Sequence, residues 1–176
     1  MINWILGVLM TTAVLSPSIG TGVRYVSAMP PAPDQSAITC HDSTWEQQTL
    51  VAYGSVRTHA KLQPFLEKMV TDGQKAGVSL AFTSGYRTCG EQALLRAYAC
   101  GTGEYNMNVK PIKDCHPPTE PAGKSLHNEG LAVDLACSGY GLFETSPCYK
   151  WLKANHATYM LFEHELEPWH WSTTGK

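Results

Sequence analysis

The 176-residue chain has little charge and no long hydrophobic run, and each shortage removes a class of function. Thirteen basic against fifteen acidic residues leave a formal charge of −2, with no excess of either sign to draw the chain to nucleic acid or to an anionic membrane surface. Charged residues make up only 16 % of the chain and hydrophobic ones 43 %, which excludes a disordered polyelectrolyte and leaves enough apolar material to close a core. The apolar stretch Ile2 to Leu15 is shorter than the about 20 residues that cross a bilayer as a helix. There is no internal repeat, no low-complexity block and no CxxC pair, so neither a solenoid nor a thiolate zinc site is indicated. A single domain is the expectation at this length, and a monomer with it.

The N-terminal segment is the part that differs from the rest. Ile2 to Leu15, followed by the small and turn-forming SPSIGTG, reads as a secretory signal peptide over residues 1–28, although no Lys or Arg precedes the apolar run. Cleavage after Gly20 or after Ala28 fits the small residues there, and an uncleaved membrane anchor is the alternative. Residues 29–39, with three prolines at the start, form a linker. The folded domain is expected over residues 40–176. Six cysteines, Cys40, Cys89, Cys100, Cys115, Cys137 and Cys148, lie downstream of the signal and point to disulfides and an exported protein, whether periplasmic, cell-wall-bound or secreted. The sequence leaves their pairing open; Cys89 with Cys100, bracketing one short helix, is a candidate pair.

Within the domain, Asp42, Ser43 or Thr44 can cap a first helix. Leu62, Phe65, Leu66, Met69 and Val70 make a one-sided apolar stripe that predicts a second helix ended by Gly77. Val78 to Thr83 predicts a strand, Glu91 to Cys100 a helix closed by Gly101, and Gly101 to Lys124 a long loop. Leu131 to Ala136 is a strand containing Asp134; Ser146 and Pro147 start a helix running to about His156; Tyr159 to Phe162 and Trp169 to Ser172 are strands. Helices early and strands late, without regular βαβ alternation, predict an α+β fold with a small antiparallel sheet and helices packed on one side.

Two short segments concentrate ligand and acid-base residues: SLHNEGLAVD, Ser125 to Asp134, and EPWHW, Glu167 to Trp171. A catalytic zinc site takes three protein ligands and keeps one position open, and His127, Asp134 and His170 supply such a set. On a strand, Val133 and Leu135 share one face while Asp134 points the opposite way. A lone carboxylate between buried aliphatics needs a cation or a donor, and a metal is the simplest partner. Glu167, three residues before His170 and stiffened by Pro168, is the candidate general base.

The pattern SxHxxGxAxD followed by ExWHW resembles the two zinc motifs of the D-alanyl-D-alanine metallopeptidases, a group that shares a fold with the hedgehog signalling domain. SGYR at Ser84 to Arg87, with Gln92 after it, is similar to a further segment of that family, and the resemblance spans about Val78 to Ser172. It implies Zn2+ on His127, Asp134 and His170, Glu167 as catalytic base, Arg87 on the substrate carboxylate or carbonyl oxygen, and Ser125 and Gln92 as further substrate contacts. It also implies a peptidoglycan stem peptide as substrate, with D-Ala-D-Ala carboxypeptidase activity first and an L-Ala-D-Glu type endopeptidase as the alternative. The extra cysteines and the loop Gly101 to Lys124 depart from the family pattern. His164 lacks motif context and reads as surface or as lying just behind the metal shell. A zinc-stabilised binding module is the rival from another class, and the position of Glu167 beside His170 argues against it.

Overall fold

The computed structural model describes residues 50–176; the expected signal peptide, linker, first helix and Cys40 lie outside the described residues. The first described element is a hairpin not among the expected elements: β1 (Leu50–Tyr53) pairs antiparallel with β2 (Val56–His59). Gly54, at φ 57°, and Ser55 form its two-residue loop, because such loops need a residue that tolerates positive φ if the strands are to keep their twist.

The apolar stripe folds as expected into α1 (Gln63–Lys75), burying Leu66 and Met69 with Leu62 at its start. It leads into β3 (Leu80–Ser84) and then α2 (Cys89–Cys100). Thr88 starts α2: its hydroxyl accepts from the Glu91 amide while the Glu91 carboxylate accepts from the Thr88 amide, so two of the unpaired donors of the first turn are satisfied reciprocally. After α3 (Glu104–Asn108) the chain reaches β4 (Ala132–Cys137), β5 (Tyr140–Gly141), α4 (Pro147–Asn155), β6 (Phe162–His164) and β7 (Glu167–Ser172). Ser146 caps α4 through the Tyr149 amide, with Pro147 in the first turn. The strand expected over Tyr159 to Phe162 lies further along: Tyr159 closes a helical turn, Met160 turns at φ 53°, and pairing begins only at Phe162.

The antiparallel sheet runs β3-β4-β7-β6, with β5 on the end of β4. Opposed residues of an antiparallel pair share a face. Val133 lies opposite Trp171, and these two, with Leu135, bury against Leu62, Leu66 and Met69 of α1 and Leu152 of α4 in the main core. Asp134 lies opposite His170, which places both on the other face. The predicted alternation along β4 is thus what separates core from chemistry.

The stretch from Gly101 to Lys124 is tied to α2 rather than free. Arg96, fully buried, donates to the carbonyls of Asn106, Lys110 and Thr119. Cys100 is disulfide-bonded to Cys115 and Cys137 to Cys148, so the Cys89–Cys100 pair does not form: Cys100 faces the folded-back loop instead of its own helix start. Cys89 is itself disulfide-bonded.

Candidate active site

One helical turn and two strands converge on His127, Asp134 and His170. His127 sits in the helical turn Leu126–Glu129, which Ser125 caps by accepting the His127 amide at 3.3 Å. Gly130 then turns the chain into β4 at φ 67°, against the backbone of β2, where a Cβ would stand 2.7 Å from the His59 nitrogen. The SGYR segment zips onto this turn. His127 Nδ1 donates to the Gly85 carbonyl at 2.6 Å, the Arg87 amide donates to the His127 carbonyl at 3.0 Å, and Asn128 Nδ2 donates to the Arg87 carbonyl at 2.8 Å. Gly85 also packs closely on β2, where a Cβ would collide with the Arg57 carbonyl.

Both imidazoles have their tautomer set by a carbonyl, which can only accept. His127 gives its Nδ1–H to Gly85, and His170 gives its Nε2–H to the Lys176 carbonyl at 3.0 Å. The other nitrogens face inward. His127 Nε2, His170 Nδ1 and Asp134 Oδ1 stand 3.1 Å from one another on every side of a triangle. Donors about 2.0–2.1 Å from a tetrahedral zinc would be about 3.3–3.4 Å apart, so the triangle is close to ligand spacing with a fourth direction open. Two imidazole lone pairs and a carboxylate repel unless a proton or a cation lies among them, and the donor set therefore fits a divalent metal. His127 and His170 are 2 % and 6 % exposed. The backbone acceptors behind them are the arrangement that orients metal-bound histidines.

Electrostatics support the same arrangement. Burial works against ionisation of Asp134, but its close contacts with His127 and His170 outweigh it and hold the carboxyl well below the usual carboxylate range. Burial lowers His127 and keeps it neutral, as a ligand must be. Burial also pulls His170 down, yet its hydrogen bond and charge interaction with Asp134 prevail and raise it.

Arg87 takes up the remaining Asp134 oxygen. Its Nη2 donates to Oδ2 at 3.0 Å and to Ser84 Oγ at 2.8 Å, and Nη1 donates to Gln92 Oε1 at 2.8 Å. Gln92 in turn donates to the Glu120 carbonyl at 2.8 Å. Arg87 and Gln92 thus brace Asp134 and the folded-back loop while lining the same cleft, of about 340 Å³, as Ser125, Glu120, His164, Glu167 and Trp169.

Strict alternation along β7 would send Glu167 and His170 to opposite faces. Pairing with β6 is irregular between Glu163 and His164, and Glu167 and Trp169 both line the cleft with His170. Burial pushes the Glu167 carboxyl up to about 7, with the Asp134 charge adding and His170 and Arg87 opposing. His164, expected at the surface or behind the metal shell, is buried with its ring 5.6 Å from that of His170. Its Nδ1 accepts the Leu166 amide and is 3.7 Å from the Glu167 carboxylate. With burial holding His164 neutral, that contact is no ion pair. Glu120, Tyr98 and Trp169 also enter the cleft without having been singled out. Trp169 belongs to EPWHW and was open to inference; Glu120 and Tyr98 sit in segments with no motif.

A D-alanyl-D-alanine carboxypeptidase of Enterococcus faecium is 34 % identical over 120 residues, covering 61 % of this chain and 34 % of that protein. The chain thus spans about a third of that curated relative's length. Among solved structures, VanYB in complex with D-alanine-D-alanine aligns at TM-score 0.55 and 22 % identity, over 70 % of this chain and 75 % of that one. A mutant of the vancomycin resistance D,D-pentapeptidase VanY from a VanB-type cassette, in complex with Zn(II), aligns at 0.53 and 21 %, over 70 % and 76 %. At these identities the likeness is one of fold. The family model of VanY, D-alanyl-D-alanine carboxypeptidase, matches residues 55–176. That span holds the whole antiparallel sheet, both ligand-bearing segments and every cleft residue named above, and the chain belongs to the VanY D-alanyl-D-alanine carboxypeptidase family.

Proposed function

We propose that the chain is an exported zinc peptidase that removes the terminal D-alanine from peptidoglycan stem peptides ending in D-Ala-D-Ala. The observation that carries this reading is the triangle of His127 Nε2, His170 Nδ1 and Asp134 Oδ1 at 3.1 Å edges, opening into a cleft that also holds a half-buried carboxyl, Glu167. Family membership supports the reaction, and the relative complexed with D-alanine-D-alanine supports the substrate class. A zinc ion on the three ligands would supply Lewis acidity, bringing the pKa of water there to around 7.

The chain's own groups do the rest. Glu167, raised toward neutrality, takes a proton from the attacking water and returns it to the departing amine, for which a pKa near the working pH is the favourable value. Arg87 serves as a positioning residue that fixes Asp134, and its remaining N–H donors can reach a substrate oxygen. Ser125 and Gln92 border the substrate, with Gln92 also carrying Arg87. On this reading residues 1–28 are a signal peptide, 29–39 a linker and 40–176 the peptidase domain; among the described residues no helix is long and apolar enough to cross a membrane.

The test is mass spectrometry of products from the zinc-loaded protein and the pentapeptide L-Ala-γ-D-Glu-L-Lys-D-Ala-D-Ala. Free D-alanine with the tetrapeptide is expected. Cleavage after L-Ala would assign the endopeptidase alternative, and an intact peptide with zinc bound would leave the binding module.

A further inference from the structure

Glu120 stands apart from the other charges of the cleft. Arg87 and Asp134 neutralise one another, Glu167 has a place in proton transfer, the histidines surround the metal position, and Lys176, which also lines the cleft, is exposed and makes no ion pair with Glu120 among the described residues. Glu120 lines the same cleft, yet among the described residues its carboxylate makes neither a hydrogen bond nor an ion pair. Arg96, Lys124 and His170 act on it only through their charge. Arg96 is committed, its guanidinium held by the carbonyls of Asn106, Lys110 and Thr119, and Lys124 is exposed. The position of Glu120 is nevertheless fixed, because Gln92 holds its backbone carbonyl at 2.8 Å and the Cys100–Cys115 disulfide anchors the loop upstream.

A half-buried, unpaired carboxylate is unfavourable, and burial accordingly pushes its pKa up. It is also a poor neighbour for a peptide that brings its own terminal carboxylate, unless another part of that peptide is cationic. The surroundings suit a long aliphatic amine: Leu95, Tyr98, Pro117 and Pro118 share the cleft with Glu120. Methylenes can pack on Leu95 and the prolines, and the Tyr98 ring can face an ammonium group.

We infer that Glu120 is a specificity residue that binds the side-chain ammonium of a diamino acid in the substrate peptide. The inference rests on the peptidase reading of the site and refines it. The hydrogen bond would be charge-assisted on both sides, and discrimination of about ten- to a hundredfold against a neutral side chain is the size expected for such a contact.

The experiment compares hydrolysis of acyl-L-Lys-D-Ala-D-Ala carrying a free, an acetylated or a succinylated ε-amine by the zinc-loaded full chain, followed by D-alanine release. The free amine is expected to be preferred at least about tenfold in kcat/KM, chiefly through KM, with the preference shrinking as salt is raised. Glu120→Gln should bring the free and acetylated peptides to parity, and Glu120→Lys should favour the succinylated one, with zinc stoichiometry verifying that each variant is intact. Equal rates for the free and acetylated peptides in the unaltered chain would overturn the inference without touching the peptidase reading. So would a preference that survives Glu120→Gln. Failure of every peptide to release D-alanine would remove the peptidase reading itself.

Discussion

Replacing Arg87 by Met separates the metal site from its support, since the stem of the side chain is kept and the guanidinium is lost. Arg87 and Asp134 are 17 % and 13 % exposed as side chains, and their contact is 3.0 Å, so solvent screens the pair little. The variant leaves Asp134 Oδ2 without its charged donor, while Ser84 Oγ and Gln92 Oε1 lose one bond each. A buried hydrogen bond to a charged group is worth about 1.5–3 kcal/mol, and about 1.4 kcal/mol is tenfold in an equilibrium constant. With Asp134 free to rotate out of the triangle, zinc affinity should fall by about ten- to a hundredfold, the range typical of residues behind metal ligands. Competition against a chelating fluorescent indicator at fixed pH measures this directly. Ser84→Ala, which removes a neutral partner, should change affinity by much less. Zinc affinity of Arg87→Met within twofold of the unaltered protein would refute the idea that Arg87 positions Asp134.

Glu167→Gln should bind zinc and melt like the parent but lose about 10²- to 10⁴-fold in turnover, the usual contribution of a general base, measurable as D-alanine release. Zinc affinity should fall as pH is lowered, because the raised His170 is protonated from above the ordinary imidazole range downward and the metal must displace that proton; titrations at several pH values, with proton release by calorimetry, would reveal a flat profile if the histidines were not ligands. Trp171→Ala, at a fully buried position opposite Val133, should destabilise the fold by about 3–5 kcal/mol in denaturant titration. Opening the Cys100–Cys115 bridge, of sequence separation 15, by paired serine substitution should lower stability by about 3 kcal/mol on the chain-entropy estimate, and should raise hydrogen exchange between Gly101 and Glu120.

The candidate site was legible in the sequence because its chemistry is carried by residue type at short spacing: His127 and Asp134 lie within one decapeptide, and Glu167 and His170 within one pentapeptide. The alternation of Val133, Asp134 and Leu135 also foretold which side chain leaves the core. Other features depend on partners distant in sequence. The opposition of Asp134 to His170 is a property of strand register between β4 and β7, which no local pattern encodes. Cys100 pairs with Cys115 because Arg96 folds the intervening loop back on α2, and a single buried arginine in an otherwise ordinary helix gives no sign of that. The same folding brings Glu120 into the cleft. The β1–β2 hairpin, by contrast, was readable: Gly54 and Ser55 between LVAY and VRTH form a recognised turn pair. Tyr159 to Phe162 misled because a short unbroken apolar and aromatic run reads as a strand, while Met160 at φ 53° breaks the extended backbone.

The most direct test of the central claim is release of D-alanine from the stem pentapeptide by the zinc-loaded chain, the chelated chain and His170→Ala, quantified by mass spectrometry. Release by the loaded chain alone, restored to the chelated protein by added zinc, is the predicted result. Equal release by all three, or none from a chain shown to carry zinc, would contradict it.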